Sequence, residues 1–192
     1  MKLRECNEDQ FERAITDDPA DKFAKTFLAK ARMLNKWENC IGAWDGESLM
    51  GAILTTVSKR APKIANLQLL HTFAEHRRKG VARALCIHSL EWANTIGQAE
   101  YFRVSSEPEA VPFYESLGMQ MLGKQKSGCS LSMFKIQKQG RVSFESGLYD
   151  VNEPTILKNT LRIGKNGKPL KGAVVEFCSG KEPNSLYLSE II

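Results

Sequence analysis

The stretch HRRKGVARAL, residues 76–85, sets three cations directly before a glycine and a run of good helix formers. A helix N-terminus already carries a partial positive charge and unpaired N–H groups, so cations there are unfavourable unless an anion lies among them. Arg77, Arg78 and Lys79 therefore predict an anion site at the start of a helix, and phosphate is the usual occupant. A solvated surface loop is the alternative interpretation.

Length and composition limit the kind of protein. The chain has 192 residues, of which 42% are hydrophobic and 26% charged. That length holds one domain with a proper core plus at most a small appendage. The N-terminal MKLREC has no apolar signal region, and no apolar run approaches the ~20 residues of a membrane span. We expect a cytoplasmic protein that does not engage a membrane.

The cysteines and the charge exclude several classes of site. The five cysteines are far apart and form no C-x-x-C pair, and the three histidines all lie between His71 and His88. Neither a disulfide framework nor a zinc site follows from this spacing, so we expect no metal. The net charge of +5 is modest and does not by itself indicate nucleic-acid binding.

Local signals predict an α/β chain. Asn7 is placed to cap a short helix, Asp45-Gly46 is a strong hairpin signal, and Pro112 predicts an irregular first turn in a short helix. The predicted helices are Asn7 to Ile15, one from Pro19 with Phe23, Phe27, Ala31 and Leu34 on its buried stripe, Val81 to Ile96, and Pro108 to Leu117. The predicted strands are residues 1–6, 38–45, 48–60, 63–72, 101–105, 119–124 and 130–138. This order predicts a mixed, mostly antiparallel sheet flanked by helices.

Two motifs carry a family resemblance over residues 1–138. Residues 77–82, RRKGVA, match the pattern R/Q-x-x-G-x-G/A between a strand and a helix, and residues 110–119, AVPFYESLGM, resemble A-x-x-F-Y-x-x-x-G-F/M. Together they resemble the GNAT superfamily of acyl-CoA N-acyltransferases. The resemblance implies acetyl-CoA as co-substrate, with Arg77, Arg78, Lys79, Gly80, Val81 and Ala82 around its pyrophosphate and the backbone of Leu70, His71 and Thr72 along its pantetheine arm.

The physical chemistry of the first motif agrees with that expectation. Successive backbone N–H groups in a glycine-containing loop point at phosphate oxygens, and nearby cations offset the charge. Gly80 allows close approach of the backbone to the ligand, and Ala82 does the same less completely.

The second motif implies a catalytic acid. Acyl transfer from a thioester to an amine needs a proton for the departing thiolate, and a phenol with a pKa near ~10 is neutral at pH 7 and able to supply it. In the family the tyrosine at this position, here Tyr114, has that role. The structural alternative is a core aromatic packed beside Phe113.

The catalytic base is not evident from the sequence. Relatives carry a glutamate or histidine on the fourth strand, but the corresponding positions here hold Asn66 and Gln68, which cannot take a proton and could only orient a water. His71 has the opposite strand parity and is expected to pack under the sheet. Glu107 stands where many relatives have asparagine, which makes it a candidate base.

Residues 139–192 match no family known to us and are expected to form a small β-rich C-terminal extension. Strand-like runs lie at residues 141–144, 156–163 and 173–178, and Asn166-Gly167 predicts a tight turn. Between Pro154 and Val175 there are five cations and no acidic residue. A solvated hairpin is one interpretation, and a surface for an acidic substrate or partner is the other.

Two functions remain open on this reading. The first is an N-acetyltransferase acting on a primary amine of a small molecule, a protein or an aminoacyl-tRNA, by direct transfer in a ternary complex. The second is a GNAT-like CoA-binding or regulatory module without turnover, suggested by the missing base. The sequence does not determine the identity of the acceptor, the length of the acyl chain or whether the protein forms a homodimer.

Overall fold

The computed structural model describes residues 1–17, 20–59, 63–136, 165–166, 168 and 174–177. The chain divides into two compact units, Met1–Ala99 and Glu100–Ile192. In the first unit the elements are β1 (Lys2–Glu5), α1 (Glu8–Asp17), α2 (Lys22–Leu34), a 3-10 turn (Trp37–Asn39), β2 (Cys40–Asp45), β3 (Ser48–Val57), β4 (Ile64–Thr72), a second 3-10 turn (Ala74–His76) and α3 (Val81–Thr95).

Strands β1 to β4 pair antiparallel in sequence order. Strand β3 shows how the helices cover this sheet. Ala52 and Leu54 belong to the core cluster that α1 and α2 complete, whereas the space beside Gly51 is filled by Val81 of α3. Because successive residues of a strand face opposite sides, α3 covers the face opposite to α1 and α2.

Aromatic rings form the centre of the α1–α2 face. Phe11 is fully buried and stacks on Phe27 with 4.4 Å between ring centroids. Trp37 and Phe73 close the cluster at 6.2 and 5.8 Å from Phe11. Contacts of this kind add to the free energy of burial, so the two N-terminal helices are firmly fixed on the sheet.

In the second unit the elements are β5 (Tyr101–Ser106), a 3-10 turn (Pro108–Ala110), α4 (Val111–Glu115), β6 (Gln120–Gln125), β7 (Ser130–Lys135) and β8 (Val174–Phe177). The strands follow the order β5, β7, β6, β8, and each neighbouring pair is antiparallel. Strand β8, from the C-terminal extension, pairs with β6 through Gly123↔Phe177 and Lys124↔Glu176. The extension thus supplies backbone partners to a strand edge that would otherwise attract other chains.

The predicted class, α/β with a mostly antiparallel sheet and flanking helices, is confirmed. Asn7 caps α1 as predicted: its side chain accepts from the N–H of Gln10 at 2.9 Å, and the Gln10 side chain accepts from the N–H of Asn7 at 3.0 Å. The hairpin is confirmed too, although its loop is Gly46-Glu47, since Asp45 still pairs with Ser48. The irregular start of the Pro112 segment is the 3-10 turn before α4.

The predicted core position of Phe23 is wrong, and the end of the helix predicted for Val81 to Ile96 is exposed. Phe23 is 72% exposed, because the buried stripe of α2 is centred on Ala24, Phe27, Leu28 and Ala31, about 90° around the helix from it. Ile96 is 73% exposed, because it is the C-cap residue beyond the last turn of α3.

In the C-terminal extension, β8 lies inside the predicted strand 173–178. At the predicted turn, Oδ1 of Asn166 accepts a hydrogen bond from the backbone N–H of Lys168 at 3.1 Å. The other two strand predictions, 141–144 and 156–163, lie outside the described residues. Among the helices of the described part of the chain, none is both long and apolar enough to cross a membrane.

Candidate functional site

The loop before α3 contains two left-handed residues and leads into a helix without a side-chain cap. Arg78 and Gly80 both have left-handed backbone angles, with φ of 60° and 79°. Gly80 is the N-cap of α3 and gives the helix no side-chain acceptor, and the first turn carries no acidic residue. The helix therefore opens with N–H groups and a positive dipole end beside exposed Arg78 and Lys79, which is the arrangement that binds phosphate.

Gly80 is needed for its backbone angle and leaves free space beside it. A Cβ built there would meet no protein atom within 4 Å, but a side chain would be strained at a φ of 79°. Gly51, on β3, is needed because there is no space for a side chain: a Cβ would lie 2.5 Å from the carbonyl oxygen of His71. Gly51 thus lets β3 and β4 approach closely just before the loop.

Arg77 differs from the two cations that follow it. Its Nε donates to the carbonyl oxygen of Thr72 at 3.1 Å, and its Nη2 lies 3.7 Å from Oδ2 of Asp21. The guanidinium is therefore directed at the protein, although the side chain is 52% exposed. Val81 is buried against Gly51, and Ala82 is partly buried at the start of α3.

The end of β4 fixes the position of that loop. Leu70, His71 and Thr72 pair with β3, and the side chain of His71 is 5% exposed. Its ring meets Phe73 edge-on at 4.9 Å and Phe11 at 6.3 Å. His71 is thus a packed histidine, as its strand parity predicts. The expected contact between the backbone of Leu70, His71 and Thr72 and a pantetheine arm stays a prediction.

Asn66 and Gln68 lie at an irregularity of β4. Thr55 pairs with Leu67 and Leu54 with Leu69, so Gln68 is the extra residue of a β-bulge. Its Nε2 donates to the hydroxyl of Thr56 at 2.8 Å, and Nδ2 of Asn66 donates to the carbonyl oxygen of Ile64 at 3.1 Å. A carboxamide oxygen is a hydrogen-bond acceptor, so side chains of this type can orient a water. No signal in the sequence marks the bulge.

The two candidate catalytic residues lie in the second unit. Tyr114 is on α4, is 5% exposed, and meets the Phe113 ring edge-on at 5.0 Å. Glu107 is exposed at the N-cap of the 3-10 turn that leads into α4, and Sγ of Cys129 lies 3.9 Å from its Oε1. Their roles in proton transfer stay predictions.

Two buried cysteines are unsuited to nucleophilic catalysis. The Cys6 side chain hydrogen-bonds Cys40, and together with burial this contact raises the pKa of the Cys40 thiol far above its usual range. Burial raises the pKa of Cys86 to about 12. Both thiols stay protonated at neutral pH, and a thiol is a much weaker nucleophile than a thiolate. Within the described residues, no group of three or more His, Cys, Asp or Glu side chains could hold a metal ion.

Asp21 is the residue of this region that the sequence interpretation missed. It is the N-cap of α2, and its buried carboxylate lies beside both His71 and Arg77. An aspartate just before an apolar periodic segment is a recognisable capping signal. Nothing local indicates that the same carboxylate also meets residues fifty positions further along the chain.

Comparison with solved structures supports the fold. The PaiA N-acetyltransferase from Thermoplasma acidophilum, in complex with coenzyme A, has a TM-score of 0.53 and 14% identity over 70% of this chain and 98% of its own. An aminoglycoside 6'-N-acetyltransferase complexed with coenzyme A has a TM-score of 0.52 and 13% identity over 69% of this chain and 94% of its own.

A third similar structure is Naa50 from Arabidopsis thaliana in complex with the bisubstrate analogue CoA-Ac-MVNAL, with a TM-score of 0.50 and 14% identity over 69% of this chain and 96% of its own. At such identities the likeness shows the fold alone. No curated protein gave a significant sequence match.

Comparison of the sequence with models of protein families identifies the family of this chain. The acetyltransferase (GNAT) domain model matches residues 3–139, which is most of the chain. The match begins within β1 and includes β2 to β7 and the loop before α3. The chain belongs to the GNAT acetyltransferase family.

Proposed function

We propose that the protein transfers an acetyl group from acetyl-CoA to a primary amine by direct transfer in a ternary complex. The observation that carries this proposal is the loop before α3. It combines two left-handed residues, an N-terminus without a side-chain cap, and exposed Arg78 and Lys79. Coenzyme A offers a pyrophosphate to such a loop, and two of the similar structures hold coenzyme A.

The chain's own residues would divide the work as follows. Acetyl-CoA supplies an activated thioester carbon, which bonds to the amine nitrogen as the C–S bond breaks. Tyr114 would give its phenolic proton to the departing sulfur. Glu107 would accept a proton from the amine nitrogen. Asn66 and Gln68, which cannot take a proton, would orient a water. The thiols of Cys40 and Cys86 are buried and protonated, so neither of these two is suited to carry the acyl group.

The chemical class of the acceptor is a primary amine on a small molecule, a protein or an aminoacyl-tRNA. Among the similar structures, one is an aminoglycoside acetyltransferase and another holds a CoA conjugate with MVNAL. They illustrate that one fold can serve very different amines, because the acceptor is selected by site residues and loops and not by the sheet.

The expected result with purified protein is release of CoA thiol that requires both acetyl-CoA and an amine. The assay follows thiol release against a panel containing aminoglycosides, polyamines, short peptides with a free N-terminus, lysine-containing peptides and aminoacyl-tRNA. Thiol release above the hydrolytic background with one class of amine would support the enzyme. If acetyl-CoA raises the melting temperature but no amine, including aminoacyl-tRNA, increases thiol release, the alternative of a CoA-binding or regulatory module holds instead.

We further propose that residues 1–138 form the catalytic domain and that residues 139–192 serve the acceptor or a second copy of the chain. Lys165 and Lys168 are exposed in the structure, and they belong to a stretch of five cations without an acidic residue. Strand β8 holds the end of this segment against β6.

Charge reversal at Lys165, Lys168 and Lys171 tests that role while leaving β8 in place. We expect acetyl-CoA binding to be unchanged, and either a rise in the KM for the acceptor that disappears at high salt or a change in mass in solution. Light scattering and acceptor kinetics distinguish the two. Wild-type acceptor kinetics together with an unchanged mass would exclude both roles.

A further inference from the structure

Asp21 is a nearly fully buried carboxylate at the start of α2. Its side chain is 5% exposed. Its Oδ1 accepts from the backbone N–H of Phe23 at 2.9 Å and of Ala24 at 3.0 Å. These two hydrogen bonds cap the helix, and they use one of the two carboxylate oxygens.

The other oxygen faces two basic side chains from a different part of the chain. Oδ2 lies 3.2 Å from Nε2 of His71 and 3.7 Å from Nη2 of Arg77. The His71 ring is held edge-on by Phe73, so it cannot turn away without breaking an aromatic contact. A buried carboxylate is stable only where hydrogen bonds and opposite charge compensate for its lost hydration, and here both are present.

Arg77 connects this carboxylate to the loop before α3. Its Nε donates to the carbonyl oxygen of Thr72, the last residue of β4, while its other end points at Asp21. Arg77 is also the first residue of the motif that opens α3. One guanidinium therefore joins the cap of α2, the end of β4 and the start of the loop.

We propose that Asp21 is a positioning residue for the acetyl-CoA loop. By holding Arg77 against Thr72, it keeps residues 77–80 in the binding conformation before the ligand arrives. A loop that is already ordered loses less conformational entropy on binding, so affinity is higher. This inference rests on the proposed function, because it assigns the loop to coenzyme A.

Asp21→Asn separates the two roles of the side chain. Asparagine caps a helix as well as aspartate does, so the hydrogen bonds to Phe23 and Ala24 are kept while the negative charge is lost. We expect the Kd for coenzyme A, measured by calorimetry, to rise about threefold to tenfold. This is a small effect for the loss of a charge-assisted contact, because the Arg77 side chain is half exposed and water screens its charge. If Asp21→Asn does not fold, Asp21→Ser keeps a cap without the charge and gives the same test.

A double-mutant cycle with Arg77→Gln shows whether Asp21 acts through Arg77. In the Arg77→Gln background, Asp21→Asn should have little further effect on the Kd, because the contact is already gone. The matched control is Glu12→Gln, which breaks the exposed ion pair between Glu12 and Arg32 at 3.0 Å and should leave the Kd unchanged.

An equal or lower Kd for Asp21→Asn would overturn the proposal and leave Asp21 with a capping role only. Fully additive effects of Asp21→Asn and Arg77→Gln would overturn it as well. Either result is distinct from a failure of the proposed function, which would appear as absence of coenzyme A binding by the wild-type protein.

Discussion

Gly80→Glu is expected to abolish acetyl-CoA binding. The substitution places a carboxylate next to the first N–H groups of α3, where the phosphates should lie, and it forces a side chain onto a backbone φ of 79°. In the wild-type protein, acetyl-CoA at ~100 times its Kd should add about 2.7 kcal/mol to the free energy of unfolding. Thermal unfolding with and without acetyl-CoA measures this difference, and the variant should show none.

Gly46→Glu is the matched control for that experiment. Gly46 also has a positive φ, 57°, and also has free space where a Cβ would lie, but it is in the β2–β3 hairpin. The strain of a left-handed residue, roughly 1–2 kcal/mol, should therefore lower the stability of both variants. Only Gly80→Glu should lose the response to acetyl-CoA. An equal response in both would place the acetyl-CoA site elsewhere.

Gly80→Ala divides the effect of Gly80→Glu into its parts. Alanine adds the backbone strain but neither the charge nor the long side chain, and no protein atom lies within 4 Å of its Cβ. We expect a weakened but measurable response to acetyl-CoA. Retained binding with alanine and lost binding with glutamate would indicate that charge and bulk at this position act on the ligand.

Tyr114→Phe is expected to lower turnover by roughly 10²- to 10⁴-fold, the usual contribution of a general acid. Phenylalanine keeps the ring that packs edge-on against Phe113, so the variant should fold and bind acetyl-CoA. Kinetics with an acceptor from the thiol-release panel give the turnover, and calorimetry gives the affinity for acetyl-CoA. Unchanged turnover would mean that Tyr114 is a core aromatic and that another group protonates the sulfur.

Tyr101→Phe provides the control for a lost hydroxyl at a buried tyrosine. Tyr101 is 3% exposed in β5 of the same unit and has no assigned part in the reaction. Its turnover should be close to wild type. Glu107→Gln completes the series: if Glu107 is the base, the loss of turnover should shrink at high pH, where the amine is already deprotonated.

The sequence alone predicted most of the elements, because each depends on interactions between residues close in the chain. The capping box of Asn7 and Gln10, the turn at Gly46 and the glycine before α3 all act over four residues or fewer. Period-two and period-3.6 patterns act over one element. The motif at residues 77–82 belongs to the same class of local information, and it was enough to suggest the family.

Which residues of a helix are exposed was harder to predict, because exposure depends on how the helix packs against its neighbours and on where the helix ends. Phe23 has the right spacing from Phe27 but lies at the edge of the buried stripe, and Ile96 lies one residue beyond the last turn of α3. The family model ends at residue 139, and the predicted domain boundary at residue 138 stays a prediction. How residues 139–192 serve the protein depends on contacts that no local pattern contains.

The sequence by itself determined the α/β class, the order of the elements and the loop that should hold acetyl-CoA. Only the tertiary structure placed Asp21 beside His71 and Arg77, and only it showed the bulge at Gln68 and the inward turn of the Arg77 side chain. The physical reason is range. Caps, turns and periodicities are settled by neighbours in the chain, whereas the partner of a buried charge is chosen by packing between segments some fifty residues apart.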